Sequence, residues 1–190
     1  MKHDIRNRWI TAGLTFFLIC ALPLSAFCEQ ASIREVNAKG AKGTWKVSFV
    51  VENCFTEKMN EAIQSGIKTA FTFYLQVYEK RKLLRDRKVA SMEFHHTIQF
   101  DPIRGEYSVT LEEHRSSRST SDLEEAKRWM AKVAEAEIRP SSQLEPGTPT
   151  ELHIKAELDP VKLPFHLEYL FFFVSLWDFE TKWHVEPLLP

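Results

Sequence analysis

Between Ile67 and Tyr78 the chain reads Ile-Lys-Thr-Ala-Phe-Thr-Phe-Tyr-Leu-Gln-Val-Tyr, and apolar side chains return at every second position. Successive side chains of an extended strand point to opposite faces, so Phe71, Phe73, Leu75 and Val77 share one face and Thr72, Tyr74, Gln76 and Tyr78 the other. Such a segment belongs in a sheet with one face packed on a core. The same alternation returns in Trp45–Val51, Ala90–Phe100, Tyr107–Leu111, Leu152–Leu158 and Trp177–Val185. Ala31–Val36 starts a further strand ahead of the small, flexible run Ala38–Gly43.

Two segments change period. Phe55, Met59, Ala62 and Ile63 recur at helical spacing, Thr56 is placed to cap the helix and Gly66 to close it. Ser121 and Glu124 form a capping box, and Leu123, Ala126, Met130 and Val133 carry an apolar stripe to about Ala136. Asp101-Pro102-Ile103-Arg104-Gly105 is a hairpin turn, Glu112–Thr120 reads as an exposed loop, and Arg139–Thr150 is a proline-rich connection. Tyr169–Val174 is apolar throughout but far too short to span a bilayer. Tight turns between strands favour antiparallel pairing. The expected class is therefore α+β, mainly antiparallel β: a sheet or sandwich of about seven strands with two amphipathic helices.

The chain has 190 residues, 44% of them hydrophobic, enough for one core. Its formal net charge of −1 is interspersed, so no basic face speaks for nucleic acid. Lys2, Arg6 and Arg8 precede the apolar stretch Trp9–Leu22, and Pro23, Ser25, Ala26 and Cys28 supply a small-residue exit. This is the order of a secretory signal peptide over residues 1–28, cut between Cys28 and Glu29, followed by a single globular domain over 29–190. An uncleaved inner-membrane anchor is the alternative, since Trp9–Phe27 approaches the ~20 residues a spanning helix needs. In that reading the membrane is met only through this segment. Cys20 and Cys28 leave with the signal, so Cys54 has no partner for an intrachain disulfide and reads as a small buried hydrophobe.

Catalytic signatures are missing from the sequence. His95 and His96 are adjacent on a strand and point to opposite faces, and His114, His153, His166 and His184 show no metal-ligand spacing. No Gly-x-Ser-x-Gly elbow or phosphate loop occurs, and no cofactor is implied. The run Glu79–Lys88, with Lys80, Arg81, Lys82, Arg85, Arg87 and Lys88 around Leu83 and Leu84, reads as a solvated hairpin tip or as a contact for phosphate or lipid headgroups. The aromatic residues suggest a sheet face left open for a partner, at Tyr74, Gln76 and Tyr78. The expectation is a periplasmic, non-catalytic interaction domain with an envelope or membrane protein as partner. An exported enzyme or small-ligand carrier is the alternative.

Several landmarks together carry a resemblance. They are Phe55 with its helix, Gly66-Ile67, the Arg81–Arg87 basic hairpin, Phe94-His95-His96 leading to Tyr107, Leu123–Ala126, Leu158-Asp159-Pro160 and Leu163-Pro164. In these the chain, from about Ile33 to its carboxyl end, resembles the exported proteobacterial family called domain of unknown function 4390. The resemblance implies export and a bacterial envelope location, and brings no activity, cofactor or catalytic residue. It also implies a partner class, because some members are encoded near sensor kinases.

Overall fold

A computed structural model describes residues 30–41, 43–145, 147–159 and 179–188. The elements run β1 (Ser32–Ala41), β2 (Thr44–Glu52), α1 (Glu57–Gln64), β3 (Thr69–Glu79), β4 (Arg87–Asp101) and β5 (Glu106–Leu111). A 3-10 turn (Glu112–His114) leads to β6 (Ser116–Thr120), α2 (Leu123–Ala131), β7 (Lys132–Ile138), β8 (Thr150–Leu158) and β9 (His184–Leu188). Two antiparallel sheets result, three-stranded in the order β1-β2-β7 and six-stranded in the order β6-β5-β4-β3-β8-β9. The class is α+β, as the alternation implies. The signal segment with Cys28 and Glu29, Leu163-Pro164, His166, the Tyr169–Val174 run and Trp177 lie outside the described residues.

β3 is the centre of the larger sheet, paired with β4 on one side and β8 on the other. Phe71, Phe73, Leu75 and Val77 are fully buried on its inner face. Phe73 stacks on Phe94 of β4 at 5.3 Å and meets Phe49 of β2 edge-on at 5.8 Å, so the smaller sheet closes over the larger. Met59 and Ile63 of α1 and Ala126 and Met130 of α2 fill the same layer. Thr56 caps α1 by accepting from Met59 N at 3.2 Å, and Gly66 follows at φ +82°, where an L-residue is strained. In the turn after β4, the Asp101 carboxylate accepts from Ile103 N and Arg104 N.

Four expectations are corrected. The cap of α2 is Asp122, which accepts from Glu124 N at 2.9 Å, and not Ser121. The helix ends at Ala131 and the chain continues directly as β7, paired with β2. A bulge explains why this strand reads as helix: Glu135 sits at φ +51° where the β2–β7 register shifts, so Val133 and Ala136 both point inward three positions apart. Glu112–Thr120 is likewise no plain loop, because Ser116–Thr120 forms the edge strand β6 against β5. β6 buries no side chain, so no apolar period marks it. Finally, the last strand begins at His184. Before it, Thr181 turns inward and its hydroxyl accepts from Ala156 N at 3.0 Å, taking the place of a backbone carbonyl in the ladder.

Candidate functional site

The outer face of the six-stranded sheet collects the polar half of each alternating strand. On β3, Tyr74, Gln76 and Tyr78 lie half-buried there, directly opposite Lys155, His153 and Glu151 of β8. β9 extends the face, with Val185 opposite His153. Tyr78 packs on the His153 ring at 4.7 Å, and His153 faces Trp183 at 6.4 Å. The Tyr78 hydroxyl donates to Gln76 Oε1 at 2.7 Å, which fixes both side chains in the plane of the face. Trp183 and Val185 remain 44% and 45% exposed. They form an apolar corner beside the aromatic row.

Charge is concentrated one step along. Lys155 Nζ sits 2.8 Å from Glu157 Oε2 and 2.7 Å from Glu180 Oε1, and lies over the rings of Tyr74 and Trp183 at 5.7 and 6.0 Å. These two carboxylates raise the Lys155 pKa, so its ammonium is kept. Tyr74 donates to Glu157 Oε1 at 2.8 Å, and that hydrogen bond, with burial, pushes the phenol up to about 12. For Glu157 burial works upward, but Lys155 and Tyr74 together hold its carboxyl below the ordinary range. On this face one ammonium thus ties two carboxylates and the Tyr74 hydroxyl into a single hydrogen-bonded cluster.

A family model described as a domain of unknown function, DUF4390, matches residues 29–186. The chain belongs to this family. No curated protein and no solved structure matches it.

In this DUF4390 chain the adjacent histidines part company, as strand geometry requires. His96 is fully buried, its Nδ1–H donating to the Met130 carbonyl at 2.9 Å and its Nε2 lying 2.9 and 3.0 Å from the two oxygens of buried Glu113. That pair pins β4 to the 3-10 turn and to the end of α2. His95 faces outward, with Nδ1 2.9 Å from Glu112 Oε2 and Nε2 3.8 Å from Asp159 Oδ2. The Thr72 hydroxyl beside it donates to Asp159 rather than to the imidazole, and Thr72 is buried. Among the described residues no group of His, Cys, Asp and Glu is arranged to hold a metal ion.

Cys54 is buried, donates to the Val51 carbonyl at 3.4 Å, and has its thiol pushed up to about 12 by burial. It lines an open groove of about 420 Å³ with Val50, Phe55 and Ala131, rimmed by Lys127 and Arg128. Lys127 is already engaged, 2.8 Å from Glu124 and over the Phe55 ring. Alternation along β3 places Tyr74, Gln76 and Tyr78 on one face but does not join His153, Lys155 and Trp183 to them. The alternation of β8 shows that His153 and Lys155 share a side; only the β3–β8 pairing puts them against the tyrosines.

Proposed function

We propose that this DUF4390 chain is an exported cell-envelope protein whose domain is a non-catalytic protein-binding module, with the outer face of the six-stranded sheet as its contact surface. The observation that carries the reading is the aromatic row Tyr78–His153–Trp183 beside exposed Val185, in which Tyr78 and His153 sit on the paired strands β3 and β8 and Trp183 leads into edge strand β9. Aromatic anchors fixed before binding lose little side-chain entropy on association, which is how interface hot spots gain affinity. The positive n-region, the apolar stretch and the Ala26–Cys28 exit support export to the periplasm, with cleavage before Glu29 or retention as an inner-membrane anchor. The partner in this reading is another envelope or membrane protein, and neither cofactor nor nucleic acid enters. A second reading, an exported small-ligand carrier, has the groove beside Cys54 in its favour, since about 420 Å³ lies in the size range of ligand sites.

The test is photo-crosslinking in intact cells from probes at Tyr78 and Val185, with the intact mass of the recovered chain measured alongside. One recurrent envelope protein captured from both positions, and lost in Trp183→Ala, is the expected result. Equal capture from a probe at Ser117 on edge strand β6 would defeat the assignment of the face.

A further inference from the structure

The β3–β4 hairpin ends in an apex that the binding face does not use. Its base is locked: the Glu79 carboxylate, with no exposed side-chain surface, takes Arg87 Nη2 at 2.6 Å and Glu145 N at 2.7 Å, and Lys80 N donates to the Pro149 carbonyl. Asp86 closes the loop by accepting from Lys80 Nζ at 2.8 Å and Arg81 N at 3.2 Å. On this braced loop Leu83 is 96% exposed and Leu84 70%. The cations divide into two sets. Lys80, Arg81 and Arg87 are spent on bracing, whereas Lys82, Arg85 and Lys88 make no ion pair among the described residues and are exposed.

We infer that this apex is a contact for an anionic phospholipid bilayer, in which Leu83 and Leu84 enter the interfacial region and Lys82, Arg85 and Lys88 meet lipid phosphates. An exposed apolar pair flanked by unpaired cations combines the two terms that hold a protein at a membrane surface, buried apolar area and attraction to anionic headgroups. Bracing fixes the loop before contact, so binding orders little chain. A protein partner fits less well: a specific interface buries about 800 Å² on each side, and two exposed leucines offer a fraction of that, whereas a fluid bilayer moulds around them. The described chain also begins away from this apex. Gln30 lies beside Glu180–His184, toward the other end of the sheet from the Glu79–Thr150 pair where the hairpin tip begins.

The experiment follows trypsin cleavage after Lys82 and Arg85 by mass spectrometry in the full-length chain. The chain is mixed with vesicles of phosphatidylethanolamine and phosphatidylglycerol, or of phosphatidylcholine alone. Lys2, Arg6 and Arg8 give the amino-terminal segment its own preference for the anionic vesicles, so the apex is read from the difference between the native chain and Leu83→Ser/Leu84→Ser, in which that segment is unchanged. Cleavage should slow on the anionic vesicles, recover as salt rises, and recover in Leu83→Ser/Leu84→Ser. Each leucine is worth on the order of tenfold in partition and each cation a few-fold. Both leucines are solvated in the fold, so the double variant remains folded. Equal cleavage on the two vesicle types overturns the proposal, as does undiminished protection of the double serine variant. Protection seen only in native envelopes, and lost once their proteins are digested, overturns it in favour of a protein partner.

Discussion

Replacing His96 by leucine should destabilise the domain by about 3 kcal/mol, mainly through the charge it strands. In the native fold the imidazole makes one hydrogen bond to the Met130 carbonyl and one contact to both oxygens of Glu113, with side-chain exposures of 0% and 1% for the pair. A neutral hydrogen bond contributes about 1 kcal/mol and one to a charged group about 1.5–3 kcal/mol. Met130 O can only accept, so Nδ1 carries a proton and Nε2 is the atom that faces both oxygens of the Glu113 carboxyl. Without His96, Glu113 is left as a buried carboxylate whose one remaining ion-pair partner among the described residues is His114 Nε2, 3.8 Å away. That residual partner places the loss near the lower end of the roughly 3–5 kcal/mol seen for broken buried pairs. Urea unfolding reads it as a midpoint lowered by about 1–3 M. The companion variant His96→Leu/Glu113→Leu removes the stranded charge and should regain most of the loss. A single variant costing under about 1 kcal/mol, or a double variant as unstable as the two singles summed, would refute the reasoning.

Gly66→Ala, forced to hold φ +82° at the end of α1, should cost about 1–2 kcal/mol in the same unfolding assay, although its Cβ would meet Phe100 O at an ordinary 3.6 Å. The Cys54 peptide should stay unalkylated by iodoacetamide at pH 8 in native protein and become labelled in urea, because burial pushes the thiol up to about 12. Stability should fall as the solution is acidified below about pH 4.5. Hydrogen bonds from His95 hold the Glu112 carboxyl, and Lys155 with Tyr74 the Glu157 carboxyl, below their ordinary 4.5, so the unfolded chain takes up protons first. Their contribution is present above 4.5 and lost as pH falls through the lowered folded values; urea midpoints that stay flat from pH 6 to pH 3 would contradict this.

Much of the fold is legible in local pattern because half-buried strands enforce a two-residue period and capped helices announce their ends. β3, β5 and β8 alternate and prove buried on the expected side; β4 follows from Ala90 onward, while a register shift against β3 leaves Val89, expected outward, buried beside Ala90. The misses have physical reasons. β6 is an edge strand with solvent on its flanks, and polar Ser-Ser-Arg-Ser-Thr has no inward side chain to betray it. β7 carries a bulge, and a bulge converts the spacing of two into a spacing of three that imitates a helix. Of the binding face, Tyr74, Gln76 and Tyr78 follow from alternation alone. Their neighbours His153, Lys155 and Trp183 lie far along the chain.

Local pattern alone thus carries the class of fold, the inward face of the regular strands, the cap of α1 and the Asp101–Gly105 turn. Only the tertiary structure decided that β3 lies between β4 and β8, that the smaller sheet and both helices cover one face of the larger, and that the other face gathers an aromatic row. It also parts the cations of the hairpin into three that brace and three that make no ion pair among the described residues. The reason is common to all of these. Side-chain period is a property of the nearest residues, whereas strand order, ion pairing and exposure are set by which distant segments compete for the same partner, and that competition is resolved only when the core closes.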